Sequence, residues 1–172
     1  MHEFAGEPPI QETVVEVLAD GGQTVAAAES FTGGLVGALL TEVPGSSDVF
    51  DRSLVTYTHR AKMAELAVDR ADLETRGAVS ERVAVQLARG VRDVADTTWG
   101  VATTGIAGPD AEGFDQPVGT AYVAVARDGS PPATRPTVDA AEYHFVGSRS
   151  QVKERGARQA LSDLYARLDA EG

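Results

Sequence analysis

The sequence predicts a single-domain, three-layer α/β/α sandwich built on a mixed β-sheet. Short apolar or β-branched runs alternate with segments of helical periodicity. Two late strands follow each other across a short connection, and 172 residues with 42% hydrophobic content suit one core. No internal repeat, low-complexity tract or long linker divides the chain, so the expected domain spans 1–172.

Ile10, Val14, Val17 and Leu18 recur at helical spacing after Pro8 and Pro9, and Gly21-Gly22 ends the segment, which predicts a helix over 9–20. Residues 24–28 form a short apolar run suited to a buried strand, and 33–43 reads as a helix stopped by Pro44-Gly45. The junction between them is Glu29-Ser30-Phe31-Thr32. Residues 52–58, RSLVTYT, are rich in β-branched and aromatic side chains and predict a second strand. A helix over 60–67 follows, so Tyr57 and Lys62 bracket a strand-to-helix turn. Ser80 is a good N-cap for a helix with Val83, Leu87, Val91 and Val94 on one face. A strand over 99–104, a loop over 105–117 and strands over 119–126 and 141–146 come next, the last two flanking DGSPPATRPT. A helix over 150–169 closes the domain, with Gly156 inside it at some cost in stability.

The absence of cysteine removes disulfides, thiolate nucleophiles and cysteine-rich zinc sites together, so covalent catalysis would use an oxygen or an amine. No His, Cys or Asp/Glu cluster has metal-ligand spacing, and neither metal nor cofactor is expected. A net charge of -11 repels a phosphate backbone, which argues against a nucleic-acid partner. No run is long and apolar enough for a membrane span, and the first residues lack the basic and apolar regions of a leader. A cytoplasmic protein without a membrane partner is the expectation. Only two of the fifteen basic residues are lysines, Lys62 and Lys153, a composition resembling that of proteins adapted to high salt. Where arginine supplies nearly every cation, a lysine stands out as a group that can lose its proton.

Ser30-Phe31-Thr32-Gly33-Gly34 lies where a strand hands over to a helix, a place where free N–H groups and the helix dipole favour an anion. Its two hydroxyls fit either helix caps or a nucleophile. The three histidines are scattered and provide no readable Ser-His-acid triad. A lysine whose pKa is lowered by burial can replace histidine as base, and Lys62, opening a helix after an apolar strand, suits that role as well as it suits an exposed helix position. Lys153, among charges in QVKERGAR, reads as a solvated surface residue. TTGIAGP at 103–109 is a strand end opening into a glycine-bearing loop whose backbone can approach a phosphate or ribose. Arg149 fits a phosphate clamp or a plain surface arginine.

Taken together, AAAESFTGG, VPGSSDVFDRSLVTYTHRAK, GAVSERVA, TTGIAGP, PVGTAYVAVA and FVGSR, in this order and spacing, resemble the CinA C-terminal family over most of the chain. The family includes stand-alone nicotinamide-nucleotide amidohydrolases, which convert nicotinamide mononucleotide and water to nicotinate mononucleotide and ammonia. The resemblance implies Ser30 as nucleophile, Lys62 as general base and Tyr57 as an aid to proton transfer. It also implies Thr104, Gly105 and Arg149 as substrate contacts, together with Thr32, Gly33 and Gly34 beside the nucleophile in the same turn. A small-molecule nucleotide is the expected partner and a homodimer the expected assembly. Phe31 departs from the cysteine common in the family, and 110–113 departs from a more glycine-rich run. A catalytically silent nucleotide-binding or interaction module, and hydrolysis of another amide or a phosphoester, stay open as alternatives.

Overall fold

The computed structural model describes residues 3–110, 113, 115–129 and 136–170. Parts of two segments noted above, 111–112 and 130–135, lie outside the described residues. The chain opens with α1 (Ile10–Asp20), ended at Gly21, and enters β1 (Val25–Glu29), every residue of which is buried. Helix α2 (Leu35–Thr41) starts two residues later than the spacing predicts, because Gly33 and Gly34 adopt φ of 61° and 98°, outside helical space. Strand β2 (Phe50–Val55) ends earlier than predicted: Thr58 already caps α3 (His59–Leu66), its hydroxyl accepting from the Ala61 N–H. Helix α4 (Arg70–Arg76) was not legible, since it buries only Leu73 and leaves no apolar period to read. Helix α5 (Glu81–Ala95) has Ser80 as its N-cap, as predicted. Strands β3 (Trp99–Gly105), β4 (Thr120–Arg127) and β5 (Thr137–His144) follow, then α6 (Arg149–Asp169), opened by a capping box of Ser148 and Gln151. The fifth strand begins four residues before the predicted start, because it pairs with the whole of β4 from Thr120↔His144 to Arg127↔Thr137.

The five strands run in the order β2-β1-β3-β4-β5. β1 is parallel to β2 and β3, whereas β3–β4 and β4–β5 are antiparallel, giving the predicted mixed sheet. Strand alternation sends Val25, Ala27, Val101, Val123 and Val125 to one face, under α1, α2 and α6. Ala26, Ala28, Ala102, Ala124 and Ala126 go to the other, under α5 with α3 and α4. The buried apolar strand side chains of this face are all alanine, so α5 lies close to the sheet. At Gly100 an added Cβ would stand 2.1 Å from the Ala88 carbonyl oxygen, which is backbone and has nowhere to go. Gly100→Ala is therefore expected to lower unfolding free energy by about 1–3 kcal/mol, measured as a lower midpoint in urea at unchanged slope.

Candidate active site

The three parallel strands set the location. The β1–α2–β2 connection passes over one face and leads to one side of β1. The return through α3, α4 and α5 passes over the other face and leads to β3 on the opposite side. At the carboxyl ends of strands where connections diverge in this way a crevice opens, and the Ser30 turn lies in it.

Alternation then divides the turn between the two faces. Glu29 falls on the α2 side and is fully buried. Its carboxylate accepts from the Thr32 hydroxyl at 2.7 Å and the Ser53 hydroxyl at 2.6 Å. It also accepts from the N–H groups of Gly34 at 2.8 Å, Val36 at 3.2 Å and Gly37 at 2.9 Å. Thr32 further bonds Thr103 Oγ1 at 2.8 Å. The open N-terminus of α2 is thus occupied by the protein's own carboxylate and is not left for a ligand anion. Thr32, Gly33 and Gly34, expected as substrate contacts, do not line the cleft. Thr32 is fully buried, and Gly33 faces away, where an added Cβ would stand 3.1 Å from Nζ of Lys153. Lys153 is half-buried rather than fully solvated.

Ser30 falls on the α3 side. Lys62, on the first turns of α3, is fully buried; its Nζ lies 3.0 Å from Ser30 Oγ and donates to the Thr56 carbonyl at 2.5 Å. Among the described residues no carboxylate supports the ammonium, and burial pushes its pKa from 10.5 down to about 8. A neutral amine at this distance accepts the serine proton, so the pair has the geometry of an activated nucleophile.

A cleft of about 410 Å³ opens onto Ser30 and Lys62 and is also lined by Phe31, Tyr57, His59, Thr104, Gly105, Asp110 and Arg149. Thr104 is buried and its hydroxyl donates to the Ala78 carbonyl at 2.7 Å, which leaves its lone pairs to accept from a ligand. Gly105 lies beyond the last bond that continues the β1–β3 ladder, Ser30 N–H to the Thr103 carbonyl at 3.1 Å. Ile106 N–H bonds the Thr120 carbonyl on the far side, so alternation turns the Gly105 N–H towards the space beyond Ser30. Arg149 donates to the Gly108 carbonyl and, at 3.1 Å, to the Tyr57 hydroxyl. Tyr57 is 60% exposed at the mouth, and its hydroxyl bonds neither Ser30 nor Lys62. The sequence thus brings Ser30, Lys62, Tyr57, Thr104, Gly105 and Arg149 to one cleft. His59 and Glu29 were not singled out. The signal available for Glu29 was an acidic residue ending an apolar strand with no cation beside it in sequence.

Fold and site together define a single α/β domain with a buried Ser-Lys pair at the switch point of its sheet. The CinA C-terminal domain family matches residues 7–168, and the chain belongs to that family. It is 46% identical over 162 residues to a CinA-like protein of Chlorobaculum tepidum, covering 94% of this chain and 38% of that one. A putative competence-damage inducible protein of Caldicellulosiruptor saccharolyticus is 42% identical over 155 residues, covering 90% of this chain and 36% of that protein. The chain therefore spans less than two-fifths of the length of these curated relatives. The crystal structure of competence/damage inducible protein CihA from Agrobacterium tumefaciens superposes with a TM-score of 0.85 at 36% identity, covering 98% and 99% of the two chains. A CinA superfamily protein from Klebsiella pneumoniae gives 0.86 at 26%, covering 94% and 96%. Among the described residues no helix is long and apolar enough to cross a membrane, and no group of three or more metal-ligating side chains is assembled.

Removing the carboxylate in Glu29→Ala would leave buried N–H and hydroxyl groups without their acceptor. An expected loss of about 3 kcal/mol follows, read from the denaturation midpoint; a loss under about 0.5 kcal/mol would contradict the capping role.

Proposed function

We propose that this domain hydrolyses the carboxamide of a nicotinamide nucleotide, nicotinamide mononucleotide first, through Ser30 and Lys62. The observation that carries the reading is the buried, uncompensated Lys62 amine 3.0 Å from Ser30 Oγ at the floor of the cleft. Neutral Lys62 takes the Ser30 proton while Oγ attacks the carboxamide carbon, and the Gly105 N–H is oriented to receive the developing oxyanion. The Lys62 ammonium then returns that proton to the departing nitrogen, and ammonia leaves a nicotinoyl ester on Ser30. In the second half Lys62 takes a proton from water, hydroxide adds to the ester carbon, and the proton returns to Oγ as the acid departs. Tyr57 is tied to Arg149, so proton return is assigned to Lys62 and Tyr57 to the rim. Arg149 has guanidinium N–H groups to spare for a phosphate, and the Thr104 hydroxyl, restricted to accepting, suits an amide N–H₂ or a ribose hydroxyl.

Ammonia release from nicotinamide mononucleotide is the direct measurement, with the dinucleotide and riboside as comparisons. Ser30→Ala and Lys62→Arg are each expected to lower kcat about a thousandfold or more while the fold is retained, because arginine cannot accept the proton. Near-normal turnover in Lys62→Arg would remove lysine as the base, and nucleotide binding without ammonia from the unaltered protein would favour a silent binding module. Since the base acts unprotonated and burial sets its pKa near 8, log(kcat/KM) should rise with pH at unit slope and level off above about 8. A profile flat from pH 6 to 9 would contradict the assignment.

A further inference from the structure

Helix α6 carries a buried glycine in its interior, Gly156, at a place where alanine normally serves a helix better. The occupant of the space above it explains the glycine. Phe31, the residue after Ser30, is 3% exposed, and an added Cβ on Gly156 would stand 2.3 Å from its Cζ and 2.6 Å from its Cε2. The ring is hemmed in by Val152, Ala107 and Ala121, so it cannot simply swing aside. Arg149, Val152 and Gly156 share one face of α6 at i, i+3 and i+7. That face therefore meets the Ser30 turn at Gly156 and places Arg149 in the mouth of the same cleft.

We propose that Phe31 and Gly156 are a matched pair of positioning residues: the ring seated in the glycine notch fixes the Ser30 turn relative to Lys62 and to the arginine on α6. The assignment of consequence to this pair rests on Ser30 being the nucleophile, whereas the notch itself does not. An ångström of displacement at a nucleophile is enough to cost about a hundredfold in rate.

The test is a double-mutant cycle of Gly156→Ala and Phe31→Leu, whose shorter side chain vacates the space the new methyl needs. Three readouts are taken: melting temperature, kcat with KM, and the titration of Lys62 followed by NMR on protein labelled with ¹³Cε-lysine. The chain has only two lysines, so two signals appear, and Lys153→Arg assigns them. Gly156→Ala is expected to lower the melting temperature despite its better helix propensity. It should reduce kcat by about 10- to 100-fold with KM within about twofold, and move the Lys62 titration from near 8 back towards 10.5 as water reaches the amine. The double variant should recover most of each loss. Wild-type kcat and Lys62 titration in Gly156→Ala, or a double variant whose losses are the sum of the singles, would overturn the proposal. If Gly156→Ala does not fold, Phe31→Leu alone decides, with a shifted Lys62 titration supporting the pair and an unchanged one overturning it. If the unaltered protein releases no ammonia, the deamidase reading falls and the Lys62 titration still decides the notch.

Discussion

The site depends on the burial of the Glu29 carboxylate. Its oxygens gather donors from the 30–34 turn, the first turn of α2 and Ser53 on β2, and through Thr32 they reach Thr103 on β3. A carboxylate removed from water is costly unless its lone pairs are met, and here hydroxyls and a helix N-terminus meet them with no cation involved. The turn is thereby held from beneath at several points. Its one outward hydroxyl, on Ser30, is left facing the other side of the sheet.

That division matters because the domain buries a carboxylate and an ammonium two elements apart and keeps them on opposite faces. A carboxylate against Lys62 would hold the amine protonated and useless as a base. Placing Glu29 among the donors of α2, and Lys62 against a carbonyl and a serine hydroxyl, lets desolvation act on the lysine without opposition. A period of two along one strand is sufficient to arrange this, since Glu29 and Ser30 are neighbours in sequence and must point to opposite sides.

The alternation of strands and helices was legible because β1, β3 and β4 are runs rich in apolar or β-branched residues, and the end of β2 leads into the β-branched and aromatic stretch LVTYT. The mixed sheet followed from two late strands with no helix between them. What escaped was set by tertiary pairing. Helix α4 rests on an Asp69 cap and one buried leucine, and the limits of β5 come from its ladder to β4 and not from its composition. In the site, Ser30 and Lys62 were legible as residue types in a turn and on a helix. The turn's electrostatics were not: an open helix N-terminus looks the same in sequence whether a ligand or the protein's own carboxylate occupies it. Gly156 was read as a defect in α6, and only the position of the Phe31 ring turns it into a requirement.

The scarcity of lysine acquires a physical meaning at this point. With thirteen of fifteen cations supplied as arginine, one of the two lysines is fully buried beside Ser30, where the proposed mechanism needs a group able to lose its proton, and arginine at the rim keeps its charge at every working pH. The overall charge of -11 also bears on the proposed reaction. Deamidation turns a neutral carboxamide into a carboxylate, so the product carries one more negative charge than the substrate. It would leave a molecule of like net charge, and where the Thr104 hydroxyl accepts from the carboxamide N–H₂ the acid loses that contact. In the proposed reaction both effects weigh more on the product than on the substrate, and so favour release of the nucleotide after a change of a single group. Salt screens the first effect beyond roughly a Debye length of about 8 Å at physiological ionic strength, whereas the second, a contact within the cleft, persists at any salt concentration.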